Sequence, residues 1–352
     1  MRQRVLITGH DGYIGSVMAP RMRQAGHQVT GLDTGYFSEC TLVPDEAGAL
    51  PTIGKDIRDL TAADLEGFDA VVHLAALSND PIGNLNSGWT ESINLEGSVR
   101  LARAARAAGV SRFLFSSSCI MYGASEAVEV DENSPLDPRT IYARSKVLAE
   151  QAIAKLASPS FSPVFLRNGT VYGLSPRMRF DTVLNSLVGS AVTTGKVVVH
   201  GDGKPWRPVV HIDDVASVFL AVLEAPRERI HNQALNAASA MANHQIGELA
   251  EITASAIPGC RLQVLSSPEA DQRTYKTNFD KIARLLPELR PQWSVRDGIA
   301  QLHEQFRRIG LTVDQFRGAR FTRLLWLRRL MEEDRLDGNL RWRADIPQAV
   351  GR

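Results

Sequence analysis

The chain has 352 residues, of which 44% are hydrophobic and 22% charged, and its formal net charge at pH 7 is +1. This size allows a sizeable core, and we expect one large domain with a smaller lobe. The near-neutral charge argues against nucleic-acid binding, and the lack of any run of about 18 apolar residues argues against a membrane span. Cys40, Cys119 and Cys260 have no metal-ligand spacing and suggest no disulfide framework. These cysteines predict no metal site and, together with the lack of a signal peptide, a protein of the reducing cytoplasm.

A glycine-rich loop follows the first apolar run. Val5–Thr8 is typical of a short buried strand, and Gly9, Gly12 and Gly15 then open a helix expected to reach about Gly26. Such glycines permit a tight turn, close approach of the backbone to phosphates and close packing of helix on strand. Free amides at the helix N-terminus favour an anion. The loop indicates a pyrophosphate site, although its G-x-x-G-x-x-G spacing is less common than G-x-G-x-x-G and a glycine triplet alone is often only a turn.

The second predicted strand, Gln28–Leu32, ends in Asp33. A carboxylate about twenty residues beyond such a loop accepts hydrogen bonds from the adenosine ribose and repels a 2′-phosphate. No arginine directly follows Asp33 to receive a 2′-phosphate. These features favour NAD over NADP, against the alternative that Asp33 only caps a loop.

Strand-like and helical segments then alternate over the first 170 residues or so, which predicts an α/β fold with a doubly wound parallel sheet of the Rossmann type. Ligands of such sheets bind at the carboxyl ends of the strands, where Gly12, Asp33, Ser118 and Arg167 would lie. The expected strands are Ala70–Leu74, Arg112–Phe115 and Pro163–Leu166, and the expected helices are Trp89–Ala108 and a segment from Tyr142 to about Ala157.

The pattern changes after residue 170, which ends the expected dinucleotide-binding domain, 1–170. We expect a smaller mixed α/β substrate lobe over 171–310, with some segments returning to the first domain, and a helical extension over 311–352. In the extension, Phe321–Leu330 is a candidate basic amphipathic helix that could lie on a membrane, clamp a nucleotide or pack on a partner subunit. We favour packing on its own domain. Elements expected in the lobe are the strands Val197–Val199 and Gln233–Leu235 and the helices Asp214–Glu224, Gln245–Ile257 and Val295–Ile309.

Tyr142 and Lys146 lie one helical turn apart, so their side chains share a helix face. A phenol with a reference pKa of about 10 is a poor base at neutral pH, but a neighbouring ammonium stabilises the phenolate. Lys146 can also hydrogen-bond the nicotinamide ribose, and Ser118, after the preceding strand, can hold a substrate oxygen. The pattern predicts proton transfer at a carbinol alongside hydride transfer, with an ordinary amphipathic helix as the alternative.

With these motifs, the chain resembles the extended short-chain dehydrogenase/reductase superfamily over roughly residues 4 to 310, in particular its nucleotide-sugar epimerase/dehydratase family. The resemblance implies that the pair Asp56-Ile57 lies near the adenine and that His73–Ala76 is the cofactor-facing motif of strand four. It also implies that Asn94 is the family's asparagine associated with a helix kink and a proton relay. The cofactor-binding residues that it implies are Gly9, Asp11, Gly12, Tyr13, Ile14, Gly15, Asp33, Asp56, Ile57, Leu74, Ala75, Ala76, Asn94, Ser116, Tyr142 and Lys146.

The resemblance also implies a substrate site. Phe115–Gly123 is similar to the serine motif of sugar epimerases, and Trp206–Asp214 to a segment whose arginine holds the diphosphate of a sugar nucleotide. Guanidinium groups suit phosphate well. The catalytic residues implied are Ser118, Tyr142 and Lys146, and the substrate-binding residues are Ser118, Cys119, Asn168, Thr170, Arg207 and Arg273.

Two segments depart from the family pattern. The family's 4,6-dehydratases have an Asp-Glu pair where this chain has Cys119 and Ile120. Isoleucine cannot exchange a proton, which disfavours 4,6-dehydration, and we expect Cys119 to be buried and inert. At the position of Thr170 the family usually has an asparagine, and that asparagine normally contacts the substrate.

The sequence thus predicts an NAD-dependent nucleotide-sugar epimerase that abstracts a hydride, at C4, and returns it to the opposite face of a transient keto-sugar. A 4-ketoreductase or dehydrogenase with exchangeable NAD(P)H stays open, as do, with less support, a steroid-like or flavonoid-type alcohol substrate and a non-catalytic dinucleotide sensor. The expected partners are a nucleotide-diphosphate sugar and a second copy of the chain. The homodimer is expected by analogy with relatives that pair through the helices corresponding to 89–108 and 142–157.

Overall fold

The computed structural model describes residues 2–44, 50–78, 80–125, 129–265 and 273–343. Its strands are β1 (Arg4–Thr8), β2 (Gln28–Asp33), β3 (Thr52–Gly54), β4 (Ala70–His73), β5 (Arg112–Ser118), β6 (Ser162–Asn168), β7 (Thr170–Tyr172), β8 (Lys196–His200), β9 (Trp206–His211), β10 (Ala234–Ala237), β11 (Asn243–Gln245) and β12 (Arg261–Leu265). Its helices are α1 (Gly15–Gln24), α2 (Asp80–Leu85), α3 (Ser87–Thr90), α4 (Ser98–Ala107), α5 (Ile141–Ala154), α6 (Val183–Thr194), α7 (Ile212–Glu224), α8 (Arg227–Ile230), α9 (Ile246–Ala256), α10 (Asp280–Leu285), α11 (Val295–Arg308), α12 (Val313–Arg317) and α13 (Arg323–Glu332).

The large sheet has the strand order β10-β6-β5-β4-β1-β2-β3, and its neighbouring strands are parallel. Ile7 of β1 lies between Gly31 of β2 and Val72 of β4. Because both faces of the sheet are covered, Val5, Leu6 and Ile7 are all fully buried, which explains why the strand reads as a continuous apolar run. The order reverses beside β1, which places a ligand crevice at the carboxyl ends of β1 and β4. The predicted doubly wound sheet is confirmed.

Helices cover both faces of this sheet. On one face, α1 and α7 contribute side chains such as Met18 and Phe219 to a buried cluster. On the other, α4 and α5 contribute Leu101 and Ile153 to a second cluster. This packing fixes the start of α1 and the residues of α5 relative to the same sheet.

A smaller lobe is built from two short sheets. One has the order β11-β9-β7, with β11 antiparallel and β7 parallel to β9, and the other pairs β12 with β8 in parallel. Helices α6, α9 and α11 pack on them through a third apolar cluster, which includes Leu184, Leu249 and Phe306. Two segments return to the large domain. Helix α7 packs beside α1 on one face of the large sheet, and β10 extends that sheet beside β6. The expected strand at Gln233–Leu235 and helix at Asp214–Glu224 thus lie outside the lobe.

The expected helix over Trp89–Ala108 is not a uniform α-helix. Residues Glu91–Gly97 form a π-helix between α3 and α4. At its centre, the Asn94 side chain bonds both backbone groups of Leu77: Oδ1 accepts from the amide at 2.8 Å, and Nδ2 donates to the carbonyl at 2.9 Å. A widened turn of this kind is typical of a functional site.

The C-terminal extension packs on the large domain. Trp326, Leu327 and Leu330 of α13 are at most 3% exposed and join the cluster that contains Tyr36 and Cys40. This is the arrangement favoured from the sequence; residues from 344 onward lie outside the described part. Among the described helices, none has the length and apolar character needed to cross a bilayer.

Candidate active site

Two connected hollows lie at the carboxyl ends of the large sheet's strands. A cavity of about 780 Å³ is lined by residues of both the large domain and the lobe, and a narrower cleft of about 140 Å³ lies over the glycine loop. The wall residues common to both are Tyr13, Ile14, Leu74, Ala76, Ser78 and Arg179. The arrangement suits two ligands bound side by side, one in the cleft along the glycine loop and the other in the cavity between the large domain and the lobe.

The glycine loop is closed to larger residues. Gly9 has φ +74°, and a Cβ there would lie 2.7 Å from the amide nitrogen of Ala75. A Cβ on Gly15 would lie 2.2 Å from the carbonyl oxygen of Gly9. Helix α1 begins at Gly15 with no side-chain cap, and Gly12, Ile14 and Gly15 line the cleft. The start of α1 is therefore presented to the cleft, as a dinucleotide diphosphate requires.

Asp33 lies in the wall of the same cleft. Its Oδ2 accepts from the amide of Asp11 at 3.1 Å, and its Oδ1 accepts from the amide of Gly35 at 2.9 Å. The carboxylate is thus held in place with capacity to accept further bonds, as ribose hydroxyls would donate. The room at the glycine loop and this fixed carboxylate fit NAD.

Asp56 and Ile57 also line the cleft. The Asp56 carboxylate is already paired: Arg58 Nη2 lies 2.6 Å from Oδ2, and Arg341 Nη1 lies 3.2 Å from the same oxygen. The pair with Arg341 joins this part of the cleft to the C-terminal extension.

Two expected cofactor residues have their side chains engaged elsewhere. Asp11 is absent from the cleft wall and forms a salt bridge with Arg177 at 2.5 Å. Tyr13 lines the cleft, but its hydroxyl donates to the carbonyl of Gly173 at 2.8 Å and accepts from Asn185 Nδ2 at 2.9 Å. Burial raises the pKa of Tyr13. Both residues tie the glycine loop to the lobe.

Leu74, Ala75 and Ala76 line the cleft, whereas Asn94 is fully buried and is not part of its wall. Because its amide is occupied by Leu77, Asn94 supports the wall rather than forming its surface. Its Nδ2 also lies 3.5 Å from Ser145 Oγ, which donates to the Tyr142 carbonyl at 2.7 Å. This placement corrects the expectation that Asn94 itself contacts the cofactor.

The catalytic residues expected from the sequence come together in the wall of the large cavity, which Ser118, Tyr142 and Lys146 all line. Helix α5 is capped by Thr140, whose Oγ1 accepts from the Ala143 amide at 3.1 Å. Lys146 Nζ donates to the Ser116 carbonyl at 2.8 Å and lies 5.8 Å from the centre of the Tyr142 ring. Burial lowers the pKa of Lys146 to about 8. The ammonium therefore lies within the range of a cation–π contact with the Tyr142 ring.

The expected substrate residues other than Cys119 line the same cavity, including Thr170 and Ser118. Asn168 is paired with Ser118 in the sheet register, and its Nδ2 donates to Ser116 Oγ at 3.0 Å. Its Oδ1 is buried without a hydrogen-bond partner among the described residues. That oxygen can accept a bond from a ligand in the cavity.

Arg207 and Arg273 are brought together by the lobe. Arg207 is 6% exposed, and its Nη1 donates to the carbonyl oxygens of Arg273 and, at 2.8 Å, Trp206. Both arginines line the large cavity. Asp271 and Gln272, which precede Arg273, lie outside the described residues. The cavity therefore combines a proton-transfer group with a cationic region suited to a diphosphate.

Two residues lie behind the site rather than in it. Cys119 is fully buried and its thiol donates to the Arg167 carbonyl at 3.1 Å, so its expected substrate contact does not agree with the structure. Burial raises the pKa of this thiol to about 12, which keeps it inert at neutral pH. Arg167, expected at the ligand edge, pairs instead with Glu150 at 2.8 Å, and both side chains are buried. Ile120 does line the cavity.

Several wall residues have no sequence signal of their own. Arg179 and Arg323 line the cleft, and Asp181, Ser186 and His200 line the cavity. They enter the site only because the lobe and the extension fold back onto the sheet. Among the described residues, no group of three His, Cys, Asp or Glu side chains is placed to hold a metal ion.

Residues 5–238 match the model of the NAD dependent epimerase/dehydratase family. A UDP-glucose 4-epimerase from Corynebacterium glutamicum is 31% identical over 277 residues, covering 72% of this chain and 82% of that protein. A UDP-glucose 4-epimerase from Stenotrophomonas maltophila, crystallised with NAD and formylated UDP-arabinopyranose, is 25% identical with a TM-score of 0.76, covering 88% of this chain and 99% of that one. The dTDP-glucose 4,6-dehydratase DesIV from Streptomyces venezuelae, crystallised with NAD, is 26% identical with a TM-score of 0.75, covering 89% and 99%. The chain therefore belongs to the NAD-dependent epimerase/dehydratase family, within the extended short-chain dehydrogenase/reductases, and is an NAD-dependent enzyme.

Proposed function

We propose that this protein is an NAD-dependent epimerase that inverts C4 of a nucleotide-diphosphate sugar. The observation that carries the proposal is one cavity lined by Tyr142, Lys146 and Ser118 and also by Arg207 and Arg273. The first three groups suit oxidation of a sugar hydroxyl, and the two guanidinium groups suit a diphosphate. The adjoining cleft, with Asp33 in its wall, suits NAD.

In this proposal NAD supplies the hydride acceptor and then the hydride donor. Tyr142, as phenolate, takes the proton of the C4 hydroxyl when that carbon is oxidised. It returns the proton to the oxygen on C4 when the keto group is reduced. Lys146 stabilises the phenolate through its charge, which it keeps at neutral pH because its pKa lies at about 8. Ser118 Oγ holds the sugar oxygen while the proton moves.

Epimerisation and dehydration are both activities found among the relatives, so the choice between them depends on the cavity wall. In the family's 4,6-dehydratases, dehydration across C5 and C6 uses a proton-exchanging group, an Asp-Glu pair, directly after the catalytic hydroxyl residue. There this chain has Cys119, buried with a pKa raised to about 12, and Ile120, which lines the cavity. Neither side chain supplies that group at neutral pH, which favours epimerisation.

The proposal is tested by the bound cofactor and by turnover without added cofactor. An epimerase regenerates its NAD in each cycle, so we expect denatured protein to release NAD in near-equal amount to the chain, measured by mass spectrometry. We also expect the purified enzyme to convert UDP-glucose or dTDP-glucose into the C4 epimer with no NAD(H) added. Dependence of turnover on added NADH or NADPH would contradict the proposal and favour the ketoreductase, and released NADP would contradict the role of Asp33.

A further inference from the structure

We propose that Arg323, in the C-terminal extension, binds the diphosphate of NAD. Arg323 is 3% exposed and lines the cleft together with Gly12 and Ile14 of the glycine loop. Its Nη2 donates to the Arg177 carbonyl at 2.8 Å, while its Nη1 is buried without a hydrogen-bond partner among the described residues. A buried donor of a charged group without a partner is costly, and a phosphate oxygen in the cleft would satisfy it.

The charges around Arg323 also favour an anion. Arg177 and Arg179 lie near it, and each of these has its own carboxylate: Asp11 at 2.5 Å from Arg177 and Asp181 at 2.8 Å from Arg179. Within the described residues, no carboxylate forms a salt bridge with Arg323. Burial and the charge of Arg179 lower its pKa to about 10, so it stays charged at neutral pH. This cluster of three guanidinium and two carboxylate groups has excess positive charge beside the glycine loop.

The extension holds this guanidinium in place. Arg323 lies 4.3 Å from the centre of the Phe37 ring, and Trp326 Nε1 donates to the Tyr36 carbonyl at 2.7 Å. Leu330 is fully buried one turn further along α13. The fixed position lowers the conformational cost of binding a ligand at Arg323.

The ligand is the cofactor rather than the sugar nucleotide. Arg323 is in the wall of the cleft with Asp33 and Asp56 but not in the wall of the large cavity with Arg207. This inference depends on the assignment of the cleft to NAD. It adds a side-chain guanidinium group to the backbone amides with which the glycine loop would bind the diphosphate.

The test compares ADP with adenosine, which lacks the diphosphate, on protein freed of bound NAD with charcoal. We expect Arg323→Met to weaken ADP binding by about ten- to a hundredfold in calorimetry and to leave adenosine binding unchanged. The variant should also retain less NAD through purification. Arg328→Met, which removes an exposed arginine of the same helix, should behave like the wild type.

Each other outcome overturns part of the account. Unchanged ADP binding by Arg323→Met, or an equal loss of ADP and adenosine, would contradict the diphosphate role. If the methionine variant does not fold, ADP binding is measured on Arg323→Lys, which keeps the charge. ADP binding by this variant that is no weaker than in the wild type would also contradict a guanidinium–diphosphate contact. A wild-type protein that binds neither compound would instead contradict the assignment of the cleft to NAD.

Discussion

The proposed catalytic wall of the site, formed by Ser118, Tyr142 and Lys146, comes from one stretch of chain, β5 to α5. The outer wall of the cleft, formed by Phe37, Arg179 and Arg323, comes from three segments far apart in the sequence. Ser118 ends a strand of the sheet, and Tyr142 and Lys146 lie on the one helix α5, whereas the outer wall exists only when the lobe and the extension are both in place. Chemistry is therefore encoded locally in this protein, and the enclosure of the cofactor is encoded by long-range packing.

The largest effect should come from the catalytic wall. Tyr142→Phe removes the group that exchanges the proton, and we expect the turnover rate to fall by about 10²- to 10⁴-fold. Most bound NAD should be retained, because Tyr142 lines the large cavity and not the cleft, although the resemblance also implies a cofactor contact for it. Steady-state kinetics together with NAD content measure this, and a variant that keeps its rate would favour a different base.

Gly15→Ala should break the cofactor side instead. The new Cβ would lie 2.2 Å from the Gly9 carbonyl oxygen and 2.5 Å from His10 Cα, and backbone atoms cannot move aside without distorting the loop. We expect the free energy of unfolding to fall by about 1–3 kcal/mol. We also expect the purified variant to lose most of its bound NAD. The control is Gly338→Ala, where a Cβ meets no atom within 4 Å. Equal NAD content in both variants would show that the loop tolerates the side chain.

A smaller effect should come from His73, below the cleft at the end of β4. Its ring nitrogens lie 2.7 Å from Thr8 Oγ1 and 2.8 Å from Ser98 Oγ, and burial lowers its pKa from 6.5 to about 3. Between these values the unfolded chain binds a proton that the folded chain does not, so stability falls as the pH is lowered from 6.5 towards 3.

Urea unfolding at pH 7.5 and pH 5.5 measures this difference. We expect the wild type to lose on the order of 1 kcal/mol more than His73→Gln between the two conditions. His211, whose pKa is also lowered by burial, to about 4, contributes equally to both proteins. Parallel losses would mean that His73 takes up a proton in the folded state.

The comparison of the two walls also explains what the sequence could predict. The order of strands and helices and the positions of Gly9, Tyr142 and Lys146 follow from local periodicity and short motifs, because each depends on neighbours within a few residues. The resemblance implied a helix kink at Asn94, and a nucleotide clamp was one alternative for the segment that contains Arg323. The π-helix itself and the position of Arg323 in the cleft wall could not be predicted, since each depends on contacts between distant segments. Cys119 is a mixed case: the resemblance placed it among the substrate-binding residues, which its position does not support, but its expected burial agrees with the bond from its thiol to the Arg167 carbonyl in the interior. The homodimer stays a prediction.

The most direct test of the central claim is to follow deuterium at C4 of the sugar. Purified enzyme is given UDP-glucose labelled with deuterium at C4, or the dTDP analogue, together with free unlabelled NAD. An epimerase with a resident cofactor should form the C4 epimer with the deuterium retained at C4 and none in the free NADH pool. Deuterium appearing in free NADH, or a keto-sugar accumulating as the product, would contradict the proposed epimerase.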